Sequence, residues 1–233
     1  MIWLHSNLID SNFTLFLVLL ASTVFALMVG ITFHECSHAL AATALGDKLP
    51  RSQGRVSLNP AKHIEPLGAV MMLFVGFGWG RPVQHNPYGL KLSPKFVTLL
   101  VASAGPVSNF VVAFLLAAPI KAGMVPYVNP FGSVYFVSGL REYLGLFLTG
   151  AVYMNIILGI FNLIPLPPLD GYNVALAILP RDLRQPFARL NQYGPGPLLI
   201  ILFLLPYVTG RNLLADVMGP PVIRLLRAFT GIG

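Results

Sequence analysis

Charge is scarce in this sequence: Asp, Glu, Lys and Arg make up 10% of its 233 residues, against about 25% in an ordinary soluble domain. That scarcity leaves too little polar sequence for a soluble module beside an apolar one. Cysteine is nearly absent too. Cys36 stands alone, so no intrachain disulfide can form and the redox compartment is unreadable. No basic region precedes the first apolar run, and that run leads straight into a histidine motif, so no cleavable signal peptide is expected. Aromatic and basic residues are not interleaved along any segment, which argues against nucleic acid as a partner. No internal repeat, low-complexity stretch or paired half-sequence of the transporter kind is found.

What is present is apolar. Hydrophobic residues reach 55% and mean hydropathy is +0.74. These values indicate an integral membrane protein, read as a single membrane-embedded domain over residues 1–233. The fold class expected is an all-α polytopic membrane protein with about four to five transmembrane helices, a short re-entrant segment and possible short membrane-edge β-strands. The run from Phe13 to Leu45 follows a capping region, Asp10-Ser11-Asn12, and ends at Gly46. At about 33 residues it would reach near 50 Å as a helix, beyond a bilayer core of about 30 Å. A long, tilted helix sheathed by protein over its later half is expected. Residues 54–58 alternate and suggest a short strand. Pro66–Trp79 is too short for an ordinary span and suggests a re-entrant segment or a short tilted helix. Gly76-Phe77-Gly78-Trp79-Gly80 reads as a turn, because it lacks the lysine and hydroxyl of a phosphate loop. Further spans are expected over Pro94–Ile120 and about Leu140–Ile164, and a shorter one over Leu198–Val208. The tail around residues 222–229 reads as an interfacial helix.

Within the first apolar run lies His34-Glu35-Cys36-Ser37-His38, an H-E-x-x-H pattern. Histidines four apart share one face of a helix, one turn apart. Two imidazoles so placed can grip one metal ion, with Glu35 beside the open coordination position as a general base. Ionisable groups inside an apolar span default to a functional reading. A purely structural reading, histidines bonded to neighbouring helices, leaves Glu35 unexplained. Cys36, about 200° around the helix from His34, is expected to point away as a packing residue. A catalytic zinc site usually keeps three protein ligands and one open place. Few intramembrane acids are available for the third. Asp170, in an apolar Leu-Asp-Gly context behind Pro165, Pro167 and Pro168, is the candidate. It is expected at a stiff, non-helical turn, although the same fragment equally suits a helix cap or turn residue.

The net charge of +7 is best read as basic loops flanking apolar spans. If residues 66–79 enter and leave on one face, the loops 46–65, 81–95 and 180–193 share that face. They hold Lys48, Arg51, Arg55, Lys62, Arg81, Lys91, Lys95, Arg181, Arg184 and Arg189. The other face has Lys121, with Arg141 and Arg211 as further candidates. The positive-inside rule makes the richer face cytoplasmic. Both the H-E-x-x-H motif and Asp170 fall toward it.

Taken together, these residues resemble the site-2 proteases, intramembrane zinc metalloproteases. The resemblance rests on His34-Glu35-x-x-His38, Leu169-Asp170-Gly171 after a proline-rich segment, and Gly105-Pro106-x-Ser108-Asn109. Fragments around 54–60, 63–68 and 161–165 look like the compact bacterial branch of that family. It covers about residues 15–180. It implies one Zn2+ held by His34, His38 and Asp170, with Glu35 as catalytic base. It also implies that Asn109 lies near the site, orienting substrate or an oxyanion; a helix-packing hydrogen bond is the equal alternative. Asn162 has the same ambiguity. His63 and Glu65 are read as ordinary loop residues, in preference to a pair that supports the metal-binding residues or gates the site. Two departures stand out: there is no room for a PDZ domain or a CBS pair, and the motif interior Cys36-Ser37 is unusual.

The reaction implied is hydrolysis of a peptide bond in or near a transmembrane helix, with single-span membrane proteins as partners in the cell membrane. The substrate helix must unwind locally, because helical backbone hides its carbonyls. Residues 54–58 or 76–83 are candidates to hold it by strand addition. A metal transporter or a metal-binding scaffold is the alternative, and it does not need Glu35 to be a carboxylate.

Overall fold

The computed structural model describes residues 12–74, 78–88, 90–131 and 137–232. Asp10, Ser11, Gly76 and Phe77, singled out above, lie outside them. The chain is mainly helical, and three described helices are long and apolar enough to cross a membrane. The first, α1 (Phe13–Ala44), is the expected long helix. Asn12 caps it by accepting from Leu15 N at 3.1 Å. It stops where Gly46 takes φ +105, with Gly46 N bonded to the Thr43 carbonyl and Asp47 N to the Ala42 carbonyl. That paired bonding satisfies two end carbonyls and requires a left-handed residue. At 32 residues, α1 is about 48 Å long.

Beyond α1, residues 54–58 do not form the strand suggested above. Gly54 turns the chain at φ +66, Arg55 N bonds back to the Pro50 carbonyl, and Ser57 N to the Arg55 carbonyl. Local turn bonds outcompete the alternating pattern there. Among the described residues the isolated β-bridge is Ile64 with Gly80, antiparallel. Between those two runs α2 (Pro66–Phe74), whose first turn is capped by Glu65 accepting from Gly68 N at 2.8 Å. The stretch therefore returns to where it left. Its two limbs approach so closely that a Cβ on Gly68 would stand 2.0 Å from the Trp79 carbonyl oxygen.

The other long helices are α3 (Pro94–Lys121) and α4 (Leu140–Asn162). Small and hydroxyl residues let them approach α1: Ser22 donates to the Phe147 carbonyl at 2.6 Å, directly over Gly150. Leu27 and Ile31 of α1 pack with Met154 and Leu158 of α4, and Ala113 and Ala117 of α3 pack with Val152 and Ile156. After α4, the prolines prevent helix, and α5 (Asp170–Ile178) starts at once. Asp170 is thus the first helical residue and not part of a non-helical turn. Leu169, extended at ψ 157, serves as N-cap, and an acid in the first turn is favoured by the helix dipole.

Next come α6 (Arg181–Ala188), prolonged by a 3-10 stretch over Arg189–Tyr193, and α7 (Gly196–Thr209); Arg181–Tyr193 and Gly196–Thr209 are related by a 76° bend and count as a fourth span only if the pair is one broken crossing. The expected span over Leu198–Val208 is interrupted by a π-helical turn at Ile200–Leu204. The tail helix, α8 (Leu213–Thr230), buries Val222 and Leu226 against α3 and α4. It is therefore a packed helix of the bundle and not only an interfacial one.

Candidate metal centre

His34 and His38 lie one turn apart on α1, both buried, with ring planes at 83°. The Nδ1 of each has an oxygen partner at 2.7 Å: the Asn109 Oδ1 for His34 and the Val101 carbonyl for His38. An oxygen there can only accept, so each Nδ1 carries its hydrogen and each Nε2 is left with a free lone pair. Both acceptors come from α3. Pro106 in that helix has no N–H for the Ala102 carbonyl, which loosens the turn whose Val101 carbonyl takes the His38 hydrogen.

The third atom is Asp170 Oδ2. It lies 2.9 Å from His34 Nε2 and 3.2 Å from His38 Nε2, and the two nitrogens are 3.0 Å apart. Three acceptors thus form a near-equilateral triangle. Asp170 Oδ2 is buried with no hydrogen-bond donor. With both rings neutral, bare lone pairs at this distance repel, and a shared cation, whether a metal ion or a proton on one imidazole, relieves them. Ligand atoms held at 2.0–2.1 Å around a tetrahedral zinc are about 3.3 Å apart, close to the sides of this triangle. The donor set, two imidazoles and a carboxylate, suits zinc with one position left open.

Two glycines make the convergence possible. A Cβ on Gly105 would stand 2.4 Å from His38 Nε2 and 2.6 Å from His34 Nε2, so α3 passes directly against the triangle. A Cβ on Gly171 would meet the Leu163 carbonyl oxygen at 2.2 Å, so α5 begins pressed onto the end of α4. That contact sets where the Asp170 carboxylate points.

Glu35 and the triangle line one cavity of about 430 Å³, together with Met72, Trp79, Val83, His85 and Asn162. Arg55 Nη2 stands 3.7 Å from Glu35 Oε2. Arg55 itself is buried and donates to the carbonyls of Lys62 and Arg81. It ties the two loops at the cavity mouth together beneath the carboxylate. Arg55→Met is expected to leave metal content unchanged while making residues 55–65 and 78–82 susceptible to limited proteolysis. Arg55→Lys should restore protection only in part, since an ammonium lacks the planar fork that serves two carbonyls at once. Protection equal to wild type in Arg55→Met would refute this clamp.

His63 donates from Nε2 to the Ser57 carbonyl at 2.6 Å and does not line the cavity. Burial pushes its pKa down, with Arg55 and Lys62 adding to the effect against the Ser57 bond. Glu65 caps α2. Both therefore hold the loop in shape. Asn109 is fully buried behind His34, its Oδ1 toward His34 and its Nδ2 donating to the Gly30 carbonyl at 3.1 Å. Asn162 reaches the cavity wall, with Nδ2 on the Leu158 carbonyl at 2.9 Å. Cys36 is half-buried and outside the group of His34, His38 and Asp170. Arg55 and His85 were not picked out by the motif. Arg55 reads in sequence as one more basic loop residue, and His85 carries no spacing signal.

Comparison with known proteins adds the following. The profile of peptidase family M50 matches residues 122–205, which include Asp170. YwhC of Bacillus subtilis (strain 168), provisionally named a zinc metalloprotease, is 34% identical over 221 residues, spanning 93% of this chain and 94% of that protein. Rip2 of Mycolicibacterium smegmatis (strain ATCC 700084 / mc(2)155), named in the same way, is 28% identical over 184 residues, 76% of this chain and 64% of that one. Rip2 of Mycobacterium tuberculosis (strain ATCC 25618 / H37Rv) is 28% identical over 190 residues, 78% of this chain and 66% of that one. No solved structure matches the chain.

Proposed function

The chain belongs to peptidase family M50, and from that premise we infer how it works as an intramembrane zinc metalloprotease: His34, His38 and Asp170 hold Zn2+, and Glu35 is the general base. The observation that carries this reading is the donor-free triangle of His34 Nε2, His38 Nε2 and Asp170 Oδ2 beside a carboxylate in the same cavity. When bound, zinc supplies a Lewis acid that activates water and polarises a carbonyl. Glu35 accepts a proton from the attacking water and returns it to the departing amine. Its neighbour Arg55 keeps the carboxylate facing the cavity. Asn109 orients His34 through its ring hydrogen.

The substrates are membrane proteins, and we take single-span proteins as the class. Cleavage needs an unwound segment. Within residues 76–83, Pro82 and Val83 line the cavity in backbone that is neither helix nor strand, which favours that stretch over residues 54–58 as the docking edge. The chain is read as one metalloprotease domain over residues 1–233, multi-pass in the cell membrane. Residues 66–79 are read as a re-entrant segment in preference to a short tilted helix, and the site as facing the cytoplasmic side where the basic loops gather. Family membership does not favour the transporter reading.

Glu35→Gln tests the proposal. Zinc should stay at one per chain while cleavage of a model helical substrate falls about 10²–10⁴-fold, the usual contribution of a positioned base. Metal analysis of the purified variant beside its cleavage rate decides the matter. Undiminished cleavage would refute the assignment.

A further inference from the structure

Asn155 sits in the middle of α4, fully buried, and no part of the mechanism above uses it. Its Nδ2 donates to the Ala151 carbonyl at 3.0 Å. A carbonyl can only accept, so the Asn155 amide has one sense, with Oδ1 pointing the other way. That Oδ1 lies 3.3 Å from Asn109 Nδ2. Asn109 Nδ2 therefore faces two acceptors, Asn155 Oδ1 and the Gly30 carbonyl. Turned over, Asn109 would set its own oxygen against both and lose two hydrogen bonds in a dry interior, where unmet acceptors are costly. Its Oδ1 is thereby fixed toward His34 Nδ1 at 2.7 Å. The polarity runs without a break from the Ala151 carbonyl to the His34 ring.

The direction matters because a reversed Asn109 would present a donor to His34 Nδ1. The imidazole hydrogen would then move to Nε2, the atom that faces Asp170. Space is constrained as well. A Cβ on Gly30 would stand 2.8 Å from Asn155 Oδ1 and 3.4 Å from Asn109 Nδ2, so α1 leaves room for this pair and little else.

We propose that Asn155 is a positioning residue for the metal centre, acting through the Asn155–Asn109–His34 chain to keep His34 with its hydrogen on Nδ1 and its Nε2 bare. This rests on the reading of His34 as a zinc ligand. The test is zinc affinity, measured by chelator competition on the purified full chain, for Asn155→Leu, Asn109→Leu and the double variant. Partners behind a metal-bound histidine commonly contribute 10- to 100-fold to metal affinity, so Asn109→Leu should lose about that much, and Asn155→Leu, one link further, about 3- to 10-fold. The double variant should be no weaker than Asn109→Leu alone, because both act on one hydrogen. A packing role for Asn155 would instead add its loss in full. Asn155→Asp supplies the conservative rescue. Its carboxyl keeps an accepting oxygen toward Asn109 Nδ2, and zinc affinity should lie within about 2-fold of wild type. This variant also decides the case if leucine fails to fold, since weak zinc binding by well-folded Asn155→Asp counts against the chain. Wild-type zinc affinity in Asn155→Leu, or full additivity, overturns this inference and leaves the metalloprotease reading standing. A wild-type chain that binds no zinc overturns both.

Discussion

Gly105→Ala is expected to remove zinc from the protein and, with it, all measurable cleavage. The new methyl group would stand 2.4 Å from His38 Nε2 and 2.6 Å from His34 Nε2. Carbon and nitrogen in ordinary contact are well over 3 Å apart, so the methyl occupies the space in which a shared ion must sit. Retreat of α3 is blocked by its own packing: Val97 and Val101 are buried against Ala42 of α1. The His38 bond to Val101 would be lost with any such shift. Metal content should drop below about a tenth of an ion per chain, and cleavage by more than about 10³-fold, because both activating roles of the ion go with it. Gly219→Ala is the control. A Cβ there meets nothing within 4 Å, and zinc, cleavage and helicity should all be unchanged. Stoichiometric zinc in Gly105→Ala would mean the ion lies elsewhere.

With Asp170 as the proposed third ligand, Asp170→Asn has the second large effect, with a different signature. The amide keeps the size of the carboxylate but loses its charge and gains two hydrogens. Those hydrogens can be donated to His34 Nε2 and His38 Nε2, which stand 2.9 and 3.2 Å from Asp170 Oδ2. The change therefore blocks the ligand atoms while relieving the crowding of acceptors. Zinc affinity should fall about 10²-fold or more, since a ligand is lost and the remaining two are engaged. The metal-free variant should melt no lower than metal-free wild type, the pattern expected where a functional site stores unfavourable contacts. Metal titration and thermal melts of the stripped proteins read both halves. A variant that binds zinc as wild type does would remove Asp170 from the site.

Much of this site is legible in the sequence. The pair His34 and His38 follows from helical periodicity alone, because four residues make roughly one turn. Asp170 was nominated by scarcity: an acid in a chain with so few of them, set behind prolines. Its exact setting was not legible. The start of α5 depends on Gly171 pressing against Leu163, a contact between backbone segments that no local pattern announces. The strand suggested at 54–58 failed for a related reason. Alternation was present, but Arg55 is committed to carbonyls at 62 and 81, and that commitment bends the segment around a buried guanidinium. Asn155 escaped notice because one asparagine within an apolar span reads as easily as ordinary helix packing. Only the order of donors and acceptors across three helices gives it a direction.

The meeting of Ile64 and Gly80 has a consequence for how such a protein can vary. Because the chain comes back to its own starting point, the intervening stretch is a closed detour in the path of the backbone. Residues added to or trimmed from it would leave the frame formed by α1, α3 and α5 in the same register. Met72 and Trp79 on that detour face the cavity, so changes of side chain there would reshape its wall while the frame stays put, much as a bay can be redrawn without moving the coastline on either side.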